Sequence, residues 1–324
     1  MGPADQGGQH HRAISNTTTV FRHRNRSGAG IMAQRCLLPS GNTQQHTATP
    51  VTRFTSAETC MSDALVTLER SNAIVTITIN NPPVNAVSSR VLNALIDAFD
   101  AAERDPEARC IIFTGAGSKA FSAGGDLREE KDFGSAEASR AFRALGRKTL
   151  NRIEACKLPV ISAIHGYCIG GGTALAWVCD IRLAADNTVF RAADAHLGML
   201  PSWGMGLTRL PRFVGRNHAL DILLTGYDFD AQRAYELGLV TKVVPREQLM
   251  EEARTIAARI AKASPTAILA TRQAVARNLR ESWDAMVECE NELCEMMFAH
   301  PDALEGPRAF SEKREPQYRS LHEN

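Results

Sequence analysis

The stretch Val160-Ile-Ser-Ala-Ile-His-Gly-Tyr-Cys-Ile-Gly-Gly-Gly-Thr-Ala-Leu-Ala-Trp177 runs from an apolar strand through a glycine turn into a helix. Its first five residues have the nearly unbroken apolar character of a strand buried on both faces. Gly170-Gly-Gly172 ends the extended run, and the chain continues as a helix through Trp177. The same order occurs upstream. Residues 110–113 read as a short buried strand ending in Thr114-Gly-Ala-Gly117, and 139–155 read as a helix. Nearer the start, residues 64–69 and 73–79 read as two strands, the second alternating as Ile74-Val-Thr-Ile-Thr-Ile79. A turn-rich break over 80–86 precedes a helix from about Ser88, which sets Val91, Leu92, Leu95, Ile96 and Phe99 on one face. Residues 181–184 supply another strand. Strands alternating with helices predict an α/β architecture. After Pro245 the periodicity is helical, over about 248–263, 266–279 and 282–298. Ser264-Pro265 parts the first two of these, since proline disfavours the helical region for the residue before it. The expected organisation is a catalytic α/β core over 61–264 and a helical C-terminal part over 265–324.

Two glycine segments are the places where chemistry is expected. One is Lys119-Ala-Phe-Ser-Ala-Gly-Gly-Asp-Leu127, and the other is His165-Gly-Tyr-Cys-Ile-Gly-Gly-Gly-Thr173. Each follows a strand. Glycine lets backbone come close to a ligand, and a helix start presents N–H groups with no partner inside the helix. Two such donors converging on one carbonyl oxygen make an oxyanion hole. Neither segment reads GxGxxG or GxxxxGK[ST], so dinucleotide and P-loop readings fail on spacing. Ser122-Ala-Gly-Gly125 is in the wrong order for a nucleophile elbow.

Bulk properties narrow the partners. The 324 residues carry 37 Lys and Arg against 36 Asp and Glu, for a formal net charge of +1. Such a balance leaves no footprint for nucleic acid or an anionic membrane, and aromatics at 6% argue against base-stacking platforms. No apolar run approaches the roughly 20 residues of a membrane helix. The eight cysteines form no CxxC pair, and several sit in apolar runs, so neither a disulfide framework nor a zinc site is expected. A reducing, cytoplasmic location follows. Residues 1–60 are rich in Gly, Gln, Ser, Thr, Asn and Arg, and their only acids are Asp5 and Glu58. They lack the apolar surface to offset ordering entropy. They read either as residues ahead of a true start at Met61 or Met32, or as a transit peptide, in which case the location is mitochondrial.

Taken together, the two glycine segments resemble those of the crotonase (enoyl-CoA hydratase/isomerase) superfamily. The resemblance extends through Asn81-Pro-Pro-Val-Asn-Ala86, Cys179-Asp-Ile-Arg182, Leu197-Gly-Met-Leu-Pro201, Arg209-Leu-Pro-Arg-Phe-Val-Gly215, Leu224-Thr-Gly226, Ala234-Tyr-Glu-Leu-Gly-Leu-Val240 and Ala309-Phe-Ser-Glu-Lys-Arg314. It implies ββα units wound into a ClpP-like superhelix, with a C-terminal helical region that forms homotrimers or hexamers. It also implies an acyl-CoA thioester substrate whose carbonyl is bound by the N–H groups of Gly125 and Gly171. Ala123, Asp126, Leu127 and Gly172 are then expected at the acyl-CoA slot, and Phe298 and Lys313 are expected to approach CoA. Coenzyme A enters as part of the substrate, with no metal or other cofactor.

The sequence departs from the hydratase pattern where it matters most. Typical hydratases divide water activation and carbon protonation between two glutamates. Here the first of those positions is Ala174 and the second is Asp194. With Asp194 as sole acid/base, the site could shift a double bond or hydrate an enoyl thioester. The same oxyanion hole could instead serve decarboxylation or retro-aldol cleavage, or bind acyl-CoA without turnover. A structural acid that pairs with Arg191 or caps a turn is the other reading of Asp194. Trp203 is expected to limit acyl-chain size, Tyr167 to lie in the core or pocket wall, and Glu129 to be solvated. His165 and His196 match no family catalytic position.

Overall fold

The alternation of Ile74–Ile79 (β2) buries Val75, Ile77 and Ile79 on one face. β2 pairs antiparallel with Val66–Ser71 (β1), through a turn that places Asn72 at φ 53°. The computed structural model describes residues 64–131 and 134–323; the expectations for residues 1–60 lie outside them. The remaining strands of the main sheet join in parallel. They are Cys110–Gly115 (β3), Val160–Ile164 (β5), Ile181–Ala185 (β7) and Lys242–Val244 (β10), in the order β1-β2-β3-β5-β7-β10. β3 and β5 are buried at every position, which explains their largely apolar sequences.

Between these strands the chain makes a second sheet of short pieces. Ala120–Ser122 (β4), Tyr167–Ile169 (β6) and Val189–Arg191 (β8) run parallel, and Phe229–Asp230 (β9) closes the order β4-β6-β8-β9 antiparallel. Each pair β3–β4, β5–β6 and β7–β8 thus gives one strand to each sheet. This is the repeated unit that the resemblance implies.

Helices cover both faces. Ser89–Arg104 (α1) starts where Ser88 Oγ accepts the Val91 N–H at 3.3 Å, and it buries Val91, Leu92, Leu95 and Phe99. Leu127–Lys131 (α2) follows β4. Ala136–Glu154 (α3) begins three residues before the predicted start, because Ser135 Oγ caps it from the Ala138 N–H at 3.2 Å. Gly171–Trp177 (α4) follows β6, Leu210–Thr225 (α5) changes direction at Gly215 with φ 77°, and Ala231–Glu236 (α6) follows β9. One face of the main sheet, with Ile111, Phe113, Val160 and Ile164, packs with residues of α1, α3 and α4. The other face, with Cys110, Ile112, Ile161 and Ala163, packs under Leu249, Ala253 and Ala257 of Leu249–Ala261 (α7). Pro265–Asn278 (α8), Trp283–Phe298 (α9) and Asp302–Ser311 (α10) complete the helical C-terminal part.

Five of the described cysteines, at 110, 156, 168, 179 and 289, are buried. Burial pushes the Cys110 thiol up to about 12 and the Cys156 thiol to about 11, so both behave as small hydrophobes. Cys36 and Cys60 lie outside the described residues. Among the described residues no helix is long and apolar enough to cross a membrane.

Candidate active site

The two glycine segments meet backbone to backbone. Residues 123–126 are strapped to 84–87: the Ala123 N–H donates to Val84 O at 2.9 Å, Val87 N–H to Gly124 O at 2.7 Å, and Asp126 N–H to Val87 O at 3.0 Å. Ser122 Oγ ties the same turn, accepting the Gly124 N–H at 3.1 Å and donating to Asn85 O at 2.7 Å. Opposite, the Gly170 N–H donates to Arg191 O at 2.8 Å, and α4 starts at the next residue. A Cβ on Gly124 would stand 2.5 Å from Ile169 O and 2.9 Å from Gly171 N. One on Gly172 would stand 2.4 Å from Ser122 O. No side chain fits between these loops. Neither the Gly125 N–H nor the Gly171 N–H has a hydrogen-bond partner among the described residues.

Both glycines border one cavity of about 1030 Å³. Ala123 and Leu127 line it near Gly125, Ala174 and Trp177 line it from α4, and Phe142 lines it from α3. Asp194, on the 3₁₀ turn Asp194–Leu197 after β8, is the sole carboxylate among the described lining residues. Burial holds its carboxyl above the usual 3.8, with a smaller opposing contribution from its own backbone N–H. Arg191 does not pair with it; that guanidinium is held by Asp228, Nη2 to Oδ2 at 2.6 Å. Ala174 is 5% exposed and offers nothing to titrate.

Trp203 forms the wall next to Gly171. A Cβ on Gly171 would stand 2.6 Å from its Cζ3, and one on Gly146 of α3 would stand 2.5 Å from its Cδ2. The indole is therefore wedged between α3 and the start of α4, edge-on to Phe142 at 5.6 Å and 72°. The loop that carries it is tied down by Arg147 Nη2 on Ser202 O at 3.3 Å and by Arg209, whose Nη1 donates to Gly204 O at 2.7 Å and whose Nε donates to Glu154 at 3.0 Å.

The profile of enoyl-CoA hydratase/isomerase matches residues 69–321, which takes in both glycine segments, the cavity and the C-terminal helices. The chain belongs to the enoyl-CoA hydratase/isomerase family. The crotonyl-CoA hydratase of Syntrophomonas wolfei is 37% identical over 254 residues, 78% of this chain and 97% of the relative. The short-chain-enoyl-CoA hydratase of Clostridium acetobutylicum is 36% identical over 250 residues, 77% of this chain and 95% of the relative. The crystal structure of an enoyl-CoA hydratase from Bacillus anthracis superposes with a TM-score of 0.76 at 34% identity, covering 79% of this chain and 99% of that one. The protein is accordingly an enzyme of the hydratase/isomerase type with the crotonase fold.

Within that family frame, the residues expected from sequence divide. Ala123, Gly125, Leu127, Gly171, Asp194 and Trp203 come together at the cavity. Asp126 does not line it: its carboxylate binds Arg128, at 3.1 Å from both Nε and Nη2, and the pairing lowers its pKa. Gly172 also stays out of the lining, because it is spent on the contact with Ser122. Phe298 ends α9 with 72% exposure, and Lys313 follows α10 at φ 55°; neither lines the cavity of this chain. Tyr167 corrects the sequence expectation: it is 53% exposed on β6, with Cys168 beside it taking the inward position. Glu129 is another correction, since its Oε2 accepts the Ser89 N–H at 2.8 Å and so ties α2 to the first turn of α1. His196 borders the cavity, but its Nε2 lies 3.1 Å from Leu224 O. His165 is buried at the β5–β6 corner, 3.0 Å from Gly117 O, and burial and Arg246 push it down to about 4. Phe142, Arg140 and Arg143 line the cavity and were not anticipated. The spacing of Arg140 and Arg143 places them on one helix face but does not tell whether that face meets solvent or a cavity.

Proposed function

We propose that the protein hydrates a 2-enoyl-CoA, with Gly125 and Gly171 holding the thioester oxygen and Asp194 performing both proton transfers. The observation that carries this reading is one titratable carboxyl in a cavity bordered by two unpaired glycine N–H groups. The Asp194 carboxylate takes a proton from water as its oxygen bonds to C3. Electron density moves through C2 to the thioester oxygen, and the two N–H groups stabilise the enolate. The same carboxyl returns the proton to C2. Burial favours this double duty, because it brings the carboxyl's affinity for protons closer to what a group that must both accept and release one requires.

Ala174 supports a second reading. A lone carboxylate suffices to move a proton between C4 and C2, which isomerises a 3-enoyl-CoA without water. Assembly into trimers or hexamers is part of the proposal, supported by Trp283, Phe298, Leu304 and Phe310, which leave large apolar surface on α9 and α10 exposed.

The test is turnover of crotonyl-CoA, followed at the conjugated thioester absorbance, by the native protein and its Asp194→Asn variant. Hydration that falls by about 10²–10⁴-fold in the variant is the expected result. A native protein that leaves crotonyl-CoA untouched but conjugates a 3-enoyl-CoA would replace hydration with isomerisation. Full activity in Asp194→Asn would overturn the role of Asp194.

A further inference from the structure

Arg140 and Arg143 lie one turn apart on α3, and both line the cavity. Neither makes an ion pair or side-chain hydrogen bond among the described residues, and nearby arginines differ in this respect. Arg152 on the same helix binds Asp100, Arg209 binds Glu154, and Arg191 binds Asp228. Asp194 does not serve as their counter-ion. Its shift comes from burial and its own backbone, with no contribution from either guanidinium. Deeper on the cavity wall, Trp177 is 1% exposed and its buried Nε1 has no hydrogen-bond partner among the described residues.

Phe142, between the two arginines in sequence, lies edge-on to Trp203, and Trp203 lies against Gly171. This turn of α3 therefore faces the proposed oxyanion hole across a single indole. Both arginines are exposed at the cavity's edge, so water serves them when no ligand is bound. A hydrocarbon acyl chain would offer them nothing better, whereas a planar oxyanion matches the guanidinium fork and their charge.

We propose that the acyl group taken into this cavity ends in a carboxylate, and that Arg140 and Arg143 bind it. This rests on the reading of the cavity as an acyl-CoA site. The shared chemistry is an oxyanion, and a phosphate of CoA is its other source, so the test separates the two.

The experiment is calorimetric titration of the full chain with glutaryl-CoA, valeryl-CoA and free CoA, none of which can be hydrated. Glutaryl-CoA is expected to bind about tenfold or more tighter than valeryl-CoA, the ratio that a hydrogen bond between charged groups supplies. The Arg140→Met/Arg143→Met double variant brings that ratio close to one by weakening glutaryl-CoA selectively. In the native protein, raising salt compresses the ratio, a readout that needs no variant to fold. Equal binding of glutaryl-CoA and valeryl-CoA to the native protein overturns the inference alone. A double variant that weakens all three ligands alike, free CoA included, assigns the arginines to phosphate and also overturns it. If none of the three binds, the acyl-CoA reading falls, and this inference with it.

Discussion

Replacing Gly172 by alanine tests whether the two glycine loops must touch. The added Cβ would stand 2.4 Å from Ser122 O, about 1 Å inside the 3.4 Å at which ordinary van der Waals contact begins. The obstacle is backbone, held by Ser122 Oγ on Asn85 O and by the straps to residues 84–87, so no flexible side chain can yield. The loops must therefore part by about 1 Å, and the Gly125 and Gly171 N–H groups part with them. A displacement of that size at a reacting centre costs about 10²-fold in rate, comparable to losing one oxyanion donor. The expected result is a kcat for crotonyl-CoA lowered about 100-fold with KM little changed. The overpacking also costs about 1–3 kcal/mol of stability in urea unfolding. Circular dichroism should still report the native fold. A folded Gly172→Ala protein with kcat within about threefold of native would refute the reasoning, because the proposed oxyanion hole would then tolerate a separation that positioning arguments forbid.

The other predictions concern the walls of the same cavity. The folded state holds the Asp194 proton more tightly than the unfolded chain does, so the carboxyl withholds stability as pH rises past 3.8. Asp194→Asn should therefore melt above the native protein at neutral pH, with the difference closing in acid; equal melting at pH 7 would count against a half-buried carboxyl that desolvation penalises. Trp203→Ala should cost about 3–5 kcal/mol of unfolding free energy and shift kcat/KM toward longer 2-enoyl-CoA chains. An unchanged chain-length profile across a series of enoyl-CoAs would show that the indole does not bound the acyl space.

The main sheet was legible because its strands are long enough to carry a pattern. Ile74–Ile79 alternates, and Cys110–Gly115 and Val160–Ile164 are mostly apolar, with Thr114 and Ser162 as buried exceptions, because both faces are covered. The second sheet was not, since β4, β6, β8 and β9 span only two or three residues each, too short for any period to show. Tyr167 illustrates the cost: a three-residue strand gives no phase from which to tell inward from outward. α5 was hidden by Gly215, which interrupts its periodicity. At the site, Gly125, Gly171 and Asp194 were singled out by the family resemblance that the two glycine segments and residues 197–201 carry, and they meet at one cavity. Arg140 and Arg143 were not, because an arginine on a helix face looks the same whether it faces solvent or a cavity. Asp126 misled for a related reason: the partner that decides its role, Arg128, is two residues away on an exposed turn.

The position of Trp203 also bears on how such a site can change over evolutionary time. Gly171 and Ala174 are one turn apart on the same face of α4, and the indole already occupies the ground in front of Gly171. A glutamate arriving at position 174 would have to place its charge beside that ring in an apolar wall. The reverse order, with Trp203 lost first, passes through a destabilised protein. Gaining a carboxylate at position 174 is thus a two-step path with an unfavourable intermediate on either route. The indole beside Gly171 in that sense guards the wall against a second charge.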